Sequence, residues 1–183
     1  MKLKNLSSYL HPLTAHIAAR HLLSFAPRRI AFVGGLADRP VTRERMTGYF
    51  EALAEAGMTP FVLSGRASRS FGREAAQKLT HTHPEIDAAN CFNDLVALGM
   101  LSGFAKLKRN VGQDFRMVGF DDIEECSQAF PALSTVHCGI AEFGRSVAAT
   151  ILAWLEEGKR PGPETLAAVE LVIRDTSGVR DIS

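Results

Sequence analysis

Short apolar runs alternate along this chain with longer segments in which apolar residues recur at helical spacing. Runs of four to eight residues rich in branched and aromatic side chains predict buried strands, and a 3.6-residue recurrence predicts helices packed on a sheet. The predicted strands cover residues 29–34, 59–64, 88–92, 117–120, 134–138 and 168–174. The predicted helices cover residues 14–26, 43–56, 70–82, 94–106 and 140–157. This alternation predicts an α/β fold with a doubly wound parallel sheet.

Two of the predicted strands stop abruptly at polar side chains. The run ending at Phe92 is followed by Asn93 and Asp94, and the run ending at Phe120 is followed by Asp121 and Asp122. Ligands of such sheets bind beyond the carboxyl ends of the strands, and these side chains could read sugar hydroxyls or ring nitrogens. The same residue types are also the usual caps of a following helix. Both interpretations fit the local sequence.

Two predicted helices carry wider apolar arcs than packing on a sheet needs. The apolar side chains of helix 94–106 cover about 200° of its circumference, roughly twice the stripe that meets one sheet. The remainder predicts either a protein interface or burial under a neighbouring loop. Helix 140–157 shows a similarly broad apolar edge.

Composition narrows the class of protein. The 183 residues carry a net charge of +1 and are 46% hydrophobic, which is typical of one globular protein without a field that recruits nucleic acid. Three widely spaced cysteines predict a reduced, cytoplasmic protein, and neither a membrane span nor a signal peptide is expected. No metal-ligand cluster or cofactor motif is found, so no metal or cofactor is predicted.

Several phrases, read together, resemble the lactose-repressor (LacI/GalR) family of bacterial transcription regulators. The phrases stand in family order: RRIAFVGG at 28–35, RERMTGYFEALAEAG at 43–57, CFNDLVALGML at 91–101, FRMVGFDDIE at 115–124, PALSTV at 131–136 and ELVIRDTSG at 170–178. The resemblance implies the carboxyl-terminal part of an effector-binding core that is similar to periplasmic binding proteins (type I). It covers mainly one of two lobes, without the helix-turn-helix.

The resemblance also implies functional residues. Arg45 matches an arginine that grips the effector, Asn93 a pocket asparagine, and Asp121 a pocket aspartate, which favours the ligand interpretation of the strand ends. Arg39 and Val41 match variable cleft positions, and Ala67 replaces an aromatic ring that many relatives stack on the effector. The implied dimer interface comprises Leu95, Leu98, Leu101, Ile123 and Phe130.

The implied organisation has four parts: a lead-in at 1–13, an effector-binding lobe at 14–138, a helix of the missing lobe at 139–160, and a returning strand and tail at 161–183. His137-Cys138 replaces the usual glutamine-proline before the last long helix. With arginines crowding residues 39–73, which form either a solvated face or an anion-receiving rim, the effector is expected to be sugar-like and could be an acidic or phosphorylated sugar.

These observations predict the effector-binding and dimerising portion of a probable repressor, with operator DNA bound only through a domain outside this chain. A free-standing solute-binding protein is a second hypothesis, disfavoured by the single lobe and the missing signal peptide. An α/β enzyme using Asp121 is a third, disfavoured because no nucleophile elbow, phosphate loop or metal cluster accompanies the acidic pair. The chain is therefore predicted not to be an enzyme.

Overall fold

The protein is an α/β structure built on one six-stranded sheet. The computed structural model describes residues 12–158 and 169–178. Its strands are β1 (Ile30–Val33), β2 (Phe61–Leu63), β3 (Ala88–Cys91), β4 (Arg116–Asp121), β5 (Thr135–His137) and β6 (Glu170–Val172). Its helices are α1 (Pro12–Leu23), α2 (Pro40–Glu55), α3 (Arg69–Thr82), α4 (Asp94–Lys106), α5 (Glu125–Gln128) and α6 (Ile140–Glu157).

The strand order is β2-β1-β3-β4-β5-β6, with the first five strands parallel and β6 antiparallel to β5. The chain moves outward in opposite directions from β1, because β2 lies on one side of β1 and β3 on the other. The edge between β1 and β3 is therefore a topological switch point, where ligands of open α/β sheets bind.

Helices cover both faces of the sheet. Ile30 and Phe32 face a hydrophobic cluster shared with α1 and α2, whereas Ala31 and Val33 face a second cluster shared with α3 and α4. This alternation follows from the two-residue period of a strand, and burial on both sides explains why β1 is continuously apolar. The predicted doubly wound α/β class is confirmed.

Several boundaries differ from those predicted. Helix α2 begins at Pro40, not at residue 43, because proline suits the first helical position and lies N-terminal to the apolar stripe. Helix α1 begins at Pro12, so the predicted lead-in over 1–13 is too long at its end, and residues 1–11 lie outside the described chain. The short helix α5 was not predicted. The last strand, predicted over 168–174, spans Glu170–Val172 within the described residues 169–178.

The wide apolar surface of α4 is largely buried against other elements of the same chain. Gly72 of α3 and Gly99 of α4 let the two helix backbones approach so closely that a methyl group on either would collide with the other helix. One face of α4 therefore packs on the sheet and an adjacent face on α3. Helix α6 is different, since none of its side chains is buried among the described residues.

Candidate functional site

The candidate site lies at the carboxyl ends of β1, β3 and β4. After β1, Gly34 and Gly35 adopt φ values of +96° and +75°, which residues with a side chain rarely tolerate. A Cβ on Gly35 would lie 2.7 Å from both Phe92 and Thr42, so the turn also needs the missing side chain. This turn brings the start of α2 over the ends of the neighbouring strands.

Arg45 is the central side chain of this site. It projects from α2 across the strand ends and is only 6% exposed. One guanidinium nitrogen donates to the carbonyl oxygen of Phe92, and the other donates to Asp121 Oδ1 at 3.2 Å. The guanidinium carbon lies 4.7 Å from the ring centre of Phe92 and 3.7 Å from that of Phe120. Two aromatic faces and two acceptors therefore hold the cation in place.

The pair of Arg45 and Asp121 is costly to bury. Desolvation lowers the pKa of Arg45 and raises that of Asp121, and in each case it outweighs the attraction between the two groups. Arg45 Nε is also buried without a hydrogen-bond partner in the described chain. A buried, incompletely satisfied charge pair stabilises a fold poorly, and it is a frequent feature of binding sites.

The backbone after β4 is strained. Asp121 and Asp122 have φ values of +113° and +56°, which place two consecutive non-glycine residues in the left-handed region. Each such residue costs on the order of 1 kcal/mol or more, and strained residues cluster at ligand-binding sites. The strain directs the Asp121 carboxylate toward Arg45 and the Asp122 carboxylate toward β5 and the chain after β6.

Asn93 fills the capping role that its sequence position allowed. Its side-chain oxygen accepts from the Val96 N–H at 3.1 Å and so caps α4. Its amide nitrogen donates to no group in the described parts of the chain, and the side chain is half-buried at the end of β3. The cap fixes the amide orientation and leaves both N–H groups of the amide nitrogen without a partner among the described residues.

The structure brings some of the predicted ligand-binding residues together. Arg45 and Asp121 are in contact, and Asn93 follows Phe92, whose carbonyl oxygen binds Arg45. The Arg39 side chain is 68% exposed, Val41 is half-buried at the start of α2, and Ala67 is exposed after β2. No hydrogen bond or ion pair within the described residues joins their side chains to the Arg45 cluster, and we refer to Arg39, Val41 and Ala67 as the outer rim on the β1–β2 side.

Three side chains at or beside the site, those of Phe92, Phe120 and Asp94, were not predicted to have the roles they have. Phe92 and Phe120 stack on Arg45, and the available signal was the repeated phenylalanine immediately before each polar strand end. Asp94 is 1% exposed and does not act as the cap. Its carboxylate instead accepts from Thr135 Oγ1 at 2.6 Å and from the Ile123 N–H at 3.0 Å, which ties α4 to β5 and to the loop after β4.

The predicted interface residues lie on the α4–α5 side of the molecule. Phe130 is 98% exposed and Leu95 is 37% exposed, whereas Leu98 and Ile123 are half-buried. Leu101 is buried within the core cluster of α3 and α4. Next to Phe130 lies a hollow away from the strand ends, lined by Arg69, Arg73, Leu98, Gly99, Ser102, Glu125, Gln128 and Ala129.

Comparison with known proteins agrees with this geometry. The model of the periplasmic binding protein-like domain family matches residues 19–177. The chain belongs to this family. This periplasmic binding protein-like domain is 27% identical to the HTH-type transcriptional repressor PurR of Vibrio vulnificus over 164 residues, which cover 88% of the chain and 49% of that repressor. The chain thus spans about half the length of the curated relatives it matches.

Solved structures of LacI-family regulators share the fold of the domain. A putative LacI transcriptional regulator from Bacillus cereus subsp. cytotoxis superposes with a TM-score of 0.83 at 29% identity, covering 90% of this chain and 60% of the other. A sugar-binding LacI-family regulator from Escherichia coli, complexed with phosphate, superposes with a TM-score of 0.82 at 26% identity, covering 96% and 66%. The predicted resemblance to this family is confirmed.

Two further observations concern the described residues alone. No helix there is long and apolar enough to cross a bilayer. Nor do those residues contain a group of three or more histidine, cysteine or acidic side chains arranged to hold a metal ion. The cysteines at 91, 126 and 138 are buried and unpaired, and burial raises the pKa of each thiol.

Proposed function

We propose that this domain is the effector-sensing and dimerising part of a LacI-type transcriptional regulator and acts by binding rather than by catalysis. The observation that carries the proposal is the buried Arg45, held between two aromatic rings beside Asp121, with an unsatisfied Nε. Regulators of this kind couple effector binding to a shift between lobe arrangements that present the DNA-binding heads differently.

The ligand expected at this site is sugar-like. Arg45 and the free Asn93 amide supply donors, and Asp121 supplies acceptors, which together suit vicinal hydroxyl groups. Arg39 and Arg66 follow β1 and β2 on the side of the outer rim, so an acidic or phosphorylated group would face that side. The Escherichia coli relative complexed with phosphate supports an anionic group in the ligand.

Isothermal titration calorimetry tests the binding site. The native chain would be titrated with glucose, ribose, glucose 6-phosphate and gluconate, and Arg45→Ala is expected to weaken whichever binds by at least tenfold. Arg109→Ala is the matched control, because Arg109 also lies over two rings, those of Phe104 and Phe115, and donates to a backbone carbonyl, that of Ile86. If Arg45→Ala and Arg109→Ala bind the ligand with equal affinity, the proposed site is refuted. If the neutral sugars all bind more tightly than the anionic ones, the proposal of an anion-receiving rim is refuted.

The proposed dimer uses the exposed Phe130 and the hollow beside it. An isologous interface places the same patch of both copies in contact, so Phe130 of one copy can enter the hollow of the other. A phenylalanine that is 98% exposed is unfavourable in an isolated protein and typical of an interface anchor. Light scattering at micromolar concentration is expected to show a dimer.

Substitutions separate this interface from the other exposed apolar surface. Phe130→Asp and Leu95→Glu are expected to yield monomers. Leu155→Asp, on the unburied helix α6 where Leu155 is 75% exposed, is the control that should leave the dimer intact. If Leu155→Asp alone dissociates the dimer, α6 is the interface, and a monomeric native chain would refute self-association.

Two further assays address the remaining parts of the proposal. Because the matched segment is an effector-binding domain, this polypeptide alone is expected not to shift operator DNA in a gel. A phosphoacceptance and hydrolysis screen is expected to be negative, because Asp121 is already bound to Arg45. Phosphorylation at Asp121 would favour an enzyme or receiver function.

A further inference from the structure

His137 ends β5 in the strand position next to the effector site. It is the register partner of Asp121 in β4 and of Glu170 in β6, so it lies in the same row across the carboxyl edge of the sheet. The side chain is 43% exposed. The ring is therefore partly exposed to solvent one strand away from Asp121.

The His137 ring is held by a chain of polar contacts. His137 Nδ1 lies 3.1 Å from Asp122 Oδ2, and the other oxygen of that carboxylate accepts from Arg174 at 2.9 Å. The second guanidinium nitrogen of Arg174 donates to the Leu133 carbonyl oxygen at 2.8 Å. Arg174 and β5 thus fix the carboxylate, and the carboxylate fixes the imidazole.

This contact determines which ring nitrogen carries the proton. An ionised carboxylate only accepts hydrogen bonds, so Nδ1 must be the donor. In a neutral imidazole the proton on Nδ1 leaves Nε2 with a lone pair. Nε2 has no hydrogen-bond partner among the described residues, so that acceptor is available to a ligand.

We propose that His137 is a specificity-determining residue of the effector site, presenting Nε2 as an oriented acceptor for a ligand hydroxyl group. The inference rests on the proposed function, since it requires a ligand at the strand ends. It specifies that the ligand group recognised on the β4–β5 side of the site is a hydrogen-bond donor.

The charges around His137 support a hydroxyl rather than an anion at this point. Asp121 and Glu170 are its register partners and Asp122 bonds its ring; Asp121 is paired with Arg45 and Asp122 with Arg174, whereas Glu170 forms no ion pair with a described residue. A phosphate or carboxylate at Nε2 would face a lone pair that cannot donate to it, beside arginines that already bind carboxylates. The edge therefore orients a ligand with its hydroxyl groups toward β5.

Nuclear magnetic resonance tests the proton position without any ligand. Long-range proton–nitrogen correlation spectra of histidine-labelled protein at pH 7.5 would be assigned by the signal lost in His137→Phe. The expected pattern is that of the Nδ1–H tautomer, with partial or full loss of that form in Asp122→Asn. A dominant Nε2–H form, or a doubly protonated ring, would overturn the proposal.

Calorimetry tests the ligand role with glucose, ribose and cellobiose as probes. His137→Phe keeps a ring but removes the acceptor, and is expected to weaken binding about tenfold, while His137→Gln restores an acceptor and most of the affinity. A monodeoxy form of the bound sugar lacking the hydroxyl that His137 reads should bind the native chain and His137→Phe alike.

The two possible failures are distinguishable. If His137→Phe binds every probe as tightly as the native chain while Arg45→Ala does not, the effector site stands and the role of His137 is overturned. If the Nδ1–H form is present but no probe binds the native chain, the proposed function fails, and the ligand role of His137 fails with it.

Discussion

The close approach of α3 and α4 makes a sharp prediction for Gly99→Ala. A methyl group built on Gly99 would lie 2.8 Å from the Cα and carbonyl carbons of Arg69, and closer still to its carbonyl oxygen. These are backbone atoms, so no side-chain rotation can relieve the collision. Gly144→Ala in α6 is the matched control, because no described atom lies within 4 Å of the new methyl group there.

The magnitude follows from two opposing effects. Carbon atoms pack best at about 3.5–4.0 Å, so the helices must separate by roughly 0.7–1.2 Å. Overpacking of this kind costs about 1–3 kcal/mol. Replacing glycine by alanine inside a helix returns about 0.5–1 kcal/mol. Gly99→Ala is therefore expected to show a net loss of about 0–2.5 kcal/mol in the free energy of unfolding, whereas Gly144→Ala gains about 0.5–1 kcal/mol.

Urea unfolding of the native chain and both variants measures these changes. The intrinsic helical gain is common to the two substitutions, so the difference between their free energies of unfolding isolates the contact and should be about 1–3 kcal/mol. A difference of that size corresponds to roughly 2–12 °C in Tm for a chain of this length. If Gly99→Ala stabilises the protein as much as Gly144→Ala, the helix contact described above is wrong.

Three further predictions concern single side chains. Asn93→Asp keeps the oxygen that accepts from the Val96 N–H but removes the free amide donor. Its thermal unfolding should therefore be nearly unchanged, while calorimetry shows at least tenfold weaker sugar binding. Asn93→Ala should show the same weaker binding and should also lose about 1 kcal/mol of stability. Burial lowers the pKa of His21 below its ordinary value of about 6.5, so the unfolded chain takes up the proton first and stability should fall as the pH drops below about 6.5. Urea titrations at pH 7.5 and 5.5 should show this loss in the native chain and a smaller one in His21→Gln, whose amide can still bond Ser177; equal losses would contradict it. Tyr49→Phe removes a buried hydroxyl that donates to the Ile30 carbonyl oxygen at 2.9 Å and accepts from the Phe61 N–H at 3.0 Å. This substitution should cost about 1–3 kcal/mol in urea unfolding. No loss would show that water satisfies those two backbone groups in the variant.

Most of the fold could be predicted because local pattern and tertiary burial agree in the core. Strand β1 is buried on both faces and is a continuous apolar run, and Gly57, which follows the last turn of α2, has the backbone bonds of a glycine C-terminal cap. The start of α2 was missed because Pro40 carries no apolar periodicity. The antiparallel direction of β6 was not predicted, since a short strand has the same pattern in either direction.

The candidate site was predicted in part for the same reason. Residue type and strand-end position singled out Asn93 and Asp121, but no local pattern indicated that Arg45 would cross from α2 to reach them. Its stacking on Phe120 is a long-range contact set by packing of α2 on the sheet. The role of Asp94 was not predicted either. An aspartate at this position can cap a helix or accept a buried hydrogen bond from β5, and the local sequence does not distinguish the two roles.

The pairing of β5 with β6 has a consequence for the architecture. The chain leaves the sheet after His137 and returns at Glu170, and these two residues are direct register partners. The exit and entry points are thus one strand spacing apart, about 4.8 Å, as in a hairpin. Cys138 and Val169 still pack on the core, whereas none of the side chains of α6 is buried among the described residues. A two-residue turn joining Cys138 to Val169 should therefore yield a smaller protein that keeps all six strands and the clasp of Arg174 on Asp122.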